Sequence, residues 1–203
     1  LKERPETWHI HRFKRNILGQ LIEKQSRKVS GRNGQSKDEG ISRTRFDYDP
    51  ITGNLTKARN QHSSVELAYD ELDRLIGETT VHNGQSATVG YQYDPLGNRI
   101  RTILPDGRHI DYLYYGSGHL HQISLDGEVI TDIERDKLHR EIQRTQGGIS
   151  SLYDYDPMGR LKSQRTVWSG TQPPSGKQNP LAGGAVNRRY AYDKAGNLIQ
   201  SAD

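Results

Sequence analysis

Aromatic, acidic and aliphatic positions recur along the chain in one phrase: an aromatic, any residue, a second aromatic, an aspartate, a short Pro- and Gly-bearing stretch, then Leu or Ile. In register it reads Phe46-Asp-Tyr48-Asp-Pro-Ile-Thr-Gly-Asn-Leu55, Leu67-Ala-Tyr69-Asp-Glu-Leu-Asp-Arg-Leu75, Tyr91-Gln-Tyr93-Asp-Pro-Leu-Gly-Asn-Arg-Ile100, Tyr153-Asp-Tyr155-Asp-Pro-Met-Gly-Arg-Leu161 and Tyr190-Ala-Tyr192-Asp-Lys-Ala-Gly-Asn-Leu198. Degenerate copies run over 13–21, over 112–120 with Tyr112 and Tyr114 in the aromatic slots, and over 133–141. Between the phrases lie β-branched and aromatic residues in rough alternation, as at Val81, Thr88, Val89 and Tyr91, which is the period of strands and not of helices. The aspartate position is held by Asn16, Asp49, Asp70, Asp94, Tyr115, Asp136, Asp156 and Asp193, so that successive copies differ by 33, 21, 24, 21, 21, 20 and 37 residues. The two long intervals contain the stretches that read as loops, 23–40 and 169–187, and all Tyr residues lie within repeats.

Each letter of the phrase has a physical task. Aspartate opens a type I turn because its carboxylate can accept a backbone N–H. Proline suits the next position through its fixed φ. Glycine then takes the left-handed conformation of a G1 bulge, which matches the turn to the twist of the strands. The residues assigned to these tasks are Asp49, Pro50 and Gly53; Asp70; Asp94, Pro95 and Gly97; Asp156, Pro157 and Gly159; and Asp193 with Gly196. Two aromatics one residue apart share a sheet face, and the aliphatic residue after the turn starts the returning strand. The unit is a β-hairpin, and eight units predict roughly sixteen strands.

The expected class is all-β: tandem hairpins in a curved, open antiparallel strip around a cavity, with residues 1–203 forming one repeat region. Composition favours that arrangement over a filled globule. Hydrophobic residues make up 31% of the 203, too few to fill a barrel of about sixteen strands, and open sheets beyond about ten strands curl. A strip cut at both ends presents unpaired strand edges that invite self-association.

The net charge of +4 is concentrated near the start, where residues 1–37 carry ten Lys or Arg against three acids. Ser, Gly and Asn without aromatics interrupt the run 24–37, the pattern of a solvated loop and a poor match to a nucleic-acid surface. There is no Cys, so disulfides and thiolate metal sites are excluded, and no apolar run approaches the roughly 18 residues of a membrane helix. The first residue is Leu and the only Met is Met158, which suggests a piece of a longer protein. Two His-x-His pairs, His9/His11 and His119/His121, could project from one strand face toward a transition metal, but further ligands are unspecified, so no metal or cofactor is expected. Asp154 and Asp156 read as turn-forming carboxylates and not as an acid–base pair, and no nucleophile elbow or phosphate loop is present. The Tyr rows could also stack on sugar rings, which leaves a carbohydrate-binding or adhesive scaffold as the alternative reading.

The phased phrases, together with Ile103-Leu-Pro-Asp-Gly-Arg-His-Ile-Asp-Tyr-Leu-Tyr-Tyr-Gly-Ser-Gly-His-Leu-His-Gln-Ile-Ser-Leu-Asp-Gly127 and the block 132–147 that follows, resemble the YD repeats of the Rhs family, particularly its enterobacterial-type core. The same repeats occur in the shell proteins of insecticidal toxin complexes and in teneurins. The resemblance implies a segment of a hollow β-cocoon shell, a non-catalytic wall that encapsulates a C-terminal toxin, made in the bacterial cytoplasm and delivered to competing cells, often by type VI secretion. The partners it implies are the rest of the shell, the enclosed toxin domain and secretion-apparatus proteins. The family's autocleavage motif and a variable toxin domain are not found in these residues, so any toxic activity would reside elsewhere.

Overall fold

The computed structural model describes residues 6–32, 35–116, 118–168 and 186–203. Among them every regular element is a strand, and hydrogen bonding links sixteen strands in chain order within one antiparallel sheet. The eight hairpins centred on the phrase are β1 (Glu6–Arg15) with β2 (Leu21–Arg32), β3 (Gln35–Tyr48) with β4 (Leu55–Arg59), β5 (Ser63–Tyr69) with β6 (Leu75–His82), β7 (Gln85–Tyr93) with β8 (Arg99–Ile103), β9 (His109–Tyr115) with β10 (His119–Leu125), β11 (Glu128–Arg135) with β12 (Glu141–Gln146), β13 (Ile149–Tyr155) with β14 (Leu161–Trp168), and β15 (Asn187–Tyr192) with β16 (Leu198–Ala202). Every one of these turns falls where the aspartate position put it. Within this run the contacts group into two compact units, Leu1–Gln92 with Ile103–Asp106, and Tyr93–Thr102 with Gly107–Asp203.

The turns differ from the sequence reading at two points. At Asp94 the N–H of Gly97 donates to the Asp94 carbonyl at 3.0 Å and the N–H of Asp94 to that of Asn98 at 2.9 Å, which is a type I turn closed by a bulge. Gly97 has φ +87°, and the same pairing recurs at Asp156 and Asp193. The first correction concerns Asp49: its carbonyl accepts from Gly53 and its N–H donates to Asn54, so Thr52 makes this connection one residue longer. The second is that glycine is not obligatory, because Asp73 (φ 59°) and His139 (φ 62°) occupy the left-handed position of the turns at Asp70 and Asp136. Short polar and histidine side chains tolerate that region better than most residues.

A further correction concerns 23–40, read above as a loop insertion. Residues 23–32 and 35–40 belong to β2 and β3, in which Glu23 faces Arg45 and Arg27 faces Ile41, with a register shift beyond Arg27 and Gly40 at φ +104°. Polar residues serve here because strand pairing satisfies the backbone regardless of side chain, and the alternation signal arises only where one face is buried. The other anticipated insertion, 169–187, lies outside the described residues except for the beginning of β15.

One sheet layer leaves little interior. Among the described residues Ile133, at 3% exposure, is the only buried hydrophobic side chain, beside Thr102, Thr131, Ser150 and Thr166. In the second unit the register sets Tyr112, Ile123, Thr131, Ile133, Arg144, Ser151, Tyr153 and Thr166 on one face. The opposite face carries Leu113, Gln122, Asp132, Thr145, Ser150 and Val167. Both faces mix polar and apolar residues, so neither is the sealed face of a sandwich.

Candidate functional site

The chemistry of the chain is concentrated where hairpins meet at their turns. In each complete turn the leading carboxylate oxygen Oδ1 accepts backbone N–H groups of the residues that follow. Asp70 takes those of Leu72 and Arg74 at 2.9 and 3.0 Å, Asp136 those of Leu138 and Arg140 at 2.9 and 3.0 Å, and Asp156 those of Met158 and Arg160, both at 2.9 Å. The second oxygen is fixed by the side chain four residues on: Arg74, Arg140 and Arg160 donate Nε at 2.7 Å, while Asn98 and Asn197 donate to Asp94 and Asp193 at 2.8 and 2.9 Å. Hydrogen bonds to the ionised form hold all six turn carboxyls below the ordinary range. The leading contribution is a backbone N–H at Asp49 (from Thr52), Asp70 (Arg74) and Asp156 (Arg160). It is the side chain of Asn98, Arg140 or Asn197 at Asp94, Asp136 and Asp193.

The aromatic positions Phe46, Tyr48, Tyr69, Tyr91, Tyr93, Tyr112, Tyr114, Tyr153, Tyr155, Tyr190 and Tyr192 are all half-buried. The second aromatic of the phrase has a distinct role. Tyr48 donates its hydroxyl to the carbonyl of Leu21 at 2.9 Å, Tyr69 to Leu55 at 3.0 Å, Tyr114 to Arg99 at 3.0 Å, Tyr155 to Glu141 at 2.7 Å and Tyr192 to Leu161 at 2.9 Å. Each acceptor is the first residue of a returning strand in the preceding hairpin. Tyrosine is thus a tie between repeats. The ring is used as well: Arg140 lies 4.7 Å from the centroid of Tyr155 and Arg160 4.7 Å from that of Tyr192, so one guanidinium closes its own turn and stacks on the next hairpin. Burial raises the hydroxyl pKa of Tyr114 and Tyr155.

The degenerate repeat over 133–141 keeps the tie with different chemistry. Arg135, in the second aromatic slot, donates Nη2 and Nε to the carbonyl of Leu120 at 3.3 and 3.4 Å. The residue four after the turn aspartate was the functional position missed from sequence. Its signal was present, because Gln20, Arg74, Asn98, Arg140, Arg160 and Asn197 are all long or branched polar donors at the same offset.

The histidine pairs resolve differently from a metal-binding ladder. His9 and His11 stack at 6.5 Å, and His11 Nδ1 lies 2.9 Å from Ser26 Oγ. His119 and His121 are separated by a bulge at His121, whose Nδ1 lies 3.0 Å from the Ile133 carbonyl. His119 stacks instead on His139 from the next hairpin, 4.0 Å between centroids and 11° between planes. Tyr115 sits beside all three rings of this cluster, at 5.7 to 6.2 Å. Burial, then His139 and Arg135, depress the pKa of His119. The cluster borders an open pocket of about 540 Å³ lined by Tyr115, His121, Arg135, Lys137 and His139 among others.

Residues 69–109 match the family described as RHS Repeat. The chain is 39% identical over 142 residues to Double-stranded DNA deaminase toxin A of Burkholderia cenocepacia (strain H111), covering 69% of this chain and 9% of that protein. It is 34% identical over 156 residues to Toxin protein Tse5 of Pseudomonas aeruginosa, covering 72% and 11%, and 36% identical over 148 residues to Probable deoxyribonuclease RhsB of Dickeya dadantii (strain 3937), covering 66% and 9%. The chain therefore spans about a tenth of the length of these relatives. In fold it is similar to the crystal structures of TcdB2-TccC3 and TcdB2-TccC3-Cdc42, with TM-scores of 0.64 and 0.63, sequence identities of 15% and 14%, 96% of this chain covered, and 10% of each of those chains.

Proposed function

On the premise that this chain is a stretch of RHS repeats whose relatives are Rhs-type toxins, we propose that it is a wall segment of a shell that encloses a C-terminal toxin domain. The observation that carries the reading is the single sheet layer: sixteen strands in chain order, tied hairpin to hairpin through tyrosine hydroxyls, with one buried hydrophobic side chain among the described residues. Such a layer has two accessible faces and spends its chemistry on holding itself together, which suits a wall and not a catalyst. The ties account for the Tyr rows without a sugar ligand. The segment's partners are the remainder of the shell and the enclosed domain, and its route is synthesis in a bacterial cytoplasm followed by delivery to competing cells through a secretion apparatus. The toxic chemistry then belongs to the enclosed domain and not to these residues.

Limited proteolysis of the full-length protein that contains this chain tests the reading. A C-terminal domain that resists protease while the repeats are intact, and becomes cleavable when the hairpin ties are broken by Tyr155→Ala with Tyr192→Ala, supports enclosure. A domain that is equally cleavable in both proteins overturns it.

A further inference from the structure

Consecutive hairpins meet with one stagger wherever a side chain ties back to a carbonyl of the preceding returning strand. The residue two after that carbonyl faces the residue three before the tie. Glu23 faces Arg45 where Tyr48 ties to Leu21, and Lys57 faces Glu66 where Tyr69 ties to Leu55. Gln122 faces Asp132 where Arg135 ties to Leu120, Gln143 faces Leu152 where Tyr155 ties to Glu141, and Ser163 faces Arg189 where Tyr192 ties to Leu161. The facing pairs range from the ion pair of Glu23 and Arg45 to Gln143 against Leu152, so the register goes with the tie and not with the pair.

The end strands of the order, β1 and β16, each have one edge unpaired among the described residues. At β1 the tie is half made. Arg15 stands directly before the turn Asn16, as Arg135 stands before Asp136, and donates Nη1 to the Gly19 carbonyl at 2.7 Å, as Arg135 donates Nη1 to that of His139 at 3.1 Å. In that pose Arg135 turns Nε and Nη2 to Leu120, whereas the same two nitrogens of Arg15 have no partner among the described residues. At β16 the other half is present: Leu198 is the first residue of a returning strand, the place that Leu21, Leu55, Glu141 and Leu161 hold where they accept a tie.

The chain thus presents the donor of a tie at one edge and its acceptor at the other, and the strand that fits each edge is the opposite end of another copy. We propose that the free edge of β1 takes β16 of a second copy of this chain, head to tail, with Arg15 closing the tie on the Leu198 carbonyl. The stagger common to the five junctions then sets Gln200 opposite Arg12, Ile199 opposite Phe13 and Ala202 opposite Ile10. Phe13 is 59%, Ile10 47% and Ile199 65% exposed, so the register that completes the tie also brings exposed apolar side chains of the two edges together. The contact uses a different edge of each copy, so it leaves one edge of each kind open to further copies. It rests on the repeat fold and not on what any shell contains.

Sedimentation velocity of the 203-residue chain across a concentration series, with cysteine cross-linking, tests the proposal. The expected result is an association that grows with concentration, is weakened about tenfold by Arg15→Ala, which removes a charged hydrogen-bond donor, and is retained by Arg15→Tyr, which puts the usual tie residue in the slot. The chain has no Cys, so mixed single-cysteine chains read the register. Oxidation should join Arg12→Cys to Gln200→Cys, whose Cβ atoms the register brings within about 5 Å, and should join Arg12→Cys far less to Ile199→Cys, which projects from the other face. The cross-link is made with Arg15 intact, so it decides the matter even if the Arg15 variants perturb β1. A chain that stays monomeric up to on the order of 1 mM overturns the proposal. So does an association whose cross-links are no richer at Arg12 with Gln200 than at Arg12 with Ile199.

Discussion

Removing the hydroxyl of Tyr155 isolates the tie between hairpins. That hydroxyl lies 2.7 Å from the Glu141 carbonyl at the head of β12, and its ring lies 4.7 Å from the guanidinium of Arg140, which is itself held 2.7 Å from Asp136 Oδ2. Tyr155→Phe keeps the ring and its stacking and deletes one half-buried hydrogen bond, a loss of about 1 kcal/mol (range ~0.5–1.5). Tyr153 supplies the control, because it shares the sheet face but its hydroxyl has no hydrogen-bond partner among the described residues, so Tyr153→Phe costs less than about 0.5 kcal/mol. In a repeat array the loss concentrates at the junction it serves. Hydrogen exchange should therefore quicken about fivefold at the amides of β12 and β13 in Tyr155→Phe, the factor that ~1 kcal/mol represents, with little change in β5 and β6. If Tyr155→Phe and Tyr153→Phe exchange alike, the hydroxyl is not a tie and the reasoning fails.

Other consequences are open to simpler measurements. Gly97→Val places a β-branched residue at φ +87° with no neighbour within 4 Å of the new Cβ, so the loss, more than about 1 kcal/mol by thermal denaturation, is purely conformational, and Gly97→Asn should lose less. Gly148→Ala meets the opposite obstacle: its Cβ would run into the Trp168 ring, and a clear drop in melting temperature with a changed Trp fluorescence spectrum is expected. Arg135→Ala should destabilise the β11–β12 hairpin, whereas Arg135→Tyr, which restores the usual residue of that slot, should retain the bond to Leu120 and the melting temperature. The six turn aspartates have folded pKa values below their unfolded ones. Their stabilisation is therefore complete above about pH 4 and is lost as pH falls through the folded values, which a urea-denaturation series from pH 7 to pH 2 will register. His119 has a depressed pKa, so its contribution is present above about pH 6.5 and declines below it; His119→Gln should flatten the profile below about pH 6.5.

The hairpins were legible in sequence because each turn carries several agreeing signals within five residues, and the local chemistry alone decides such a connection. The turn at Asp136 is the informative case, since it has neither Pro nor Gly, yet the period placed it and His139 accepts the left-handed conformation. The arm through residues 23–40 was misread for the complementary reason. Strand prediction depends on alternation of apolar and polar residues, and this stretch is polar along most of its length, so only its pairing marks it as a hairpin, which sequence does not display. The ties between repeats were legible in residue type but not in partner. Tyr155 and Arg160 are conspicuous in the phrase, but their reach to Glu141 and Tyr192 spans 14 and 32 positions and depends on the stagger between hairpins. The exposed apolar tips Leu18, Ile51, Leu72, Leu96, Leu138 and Met158 are visible too, as the residues two after the turn Asp or Asn, but a single exposed apolar residue carries no information until six turns show it in one place.

Enclosure by a single wall is tested most directly by asking what each face of the sheet touches in the full-length protein. Gln164 and Arg165 are adjacent in β14 and project from opposite faces, Gln164 opposite Tyr153 and Arg165 opposite Leu152. A photo-cross-linking residue placed at each position in turn, followed by mass-spectrometric mapping, reads the two faces separately. The account predicts cross-links to the C-terminal domain from one of these positions and none from the other. Cross-links from both, or from neither, would contradict it.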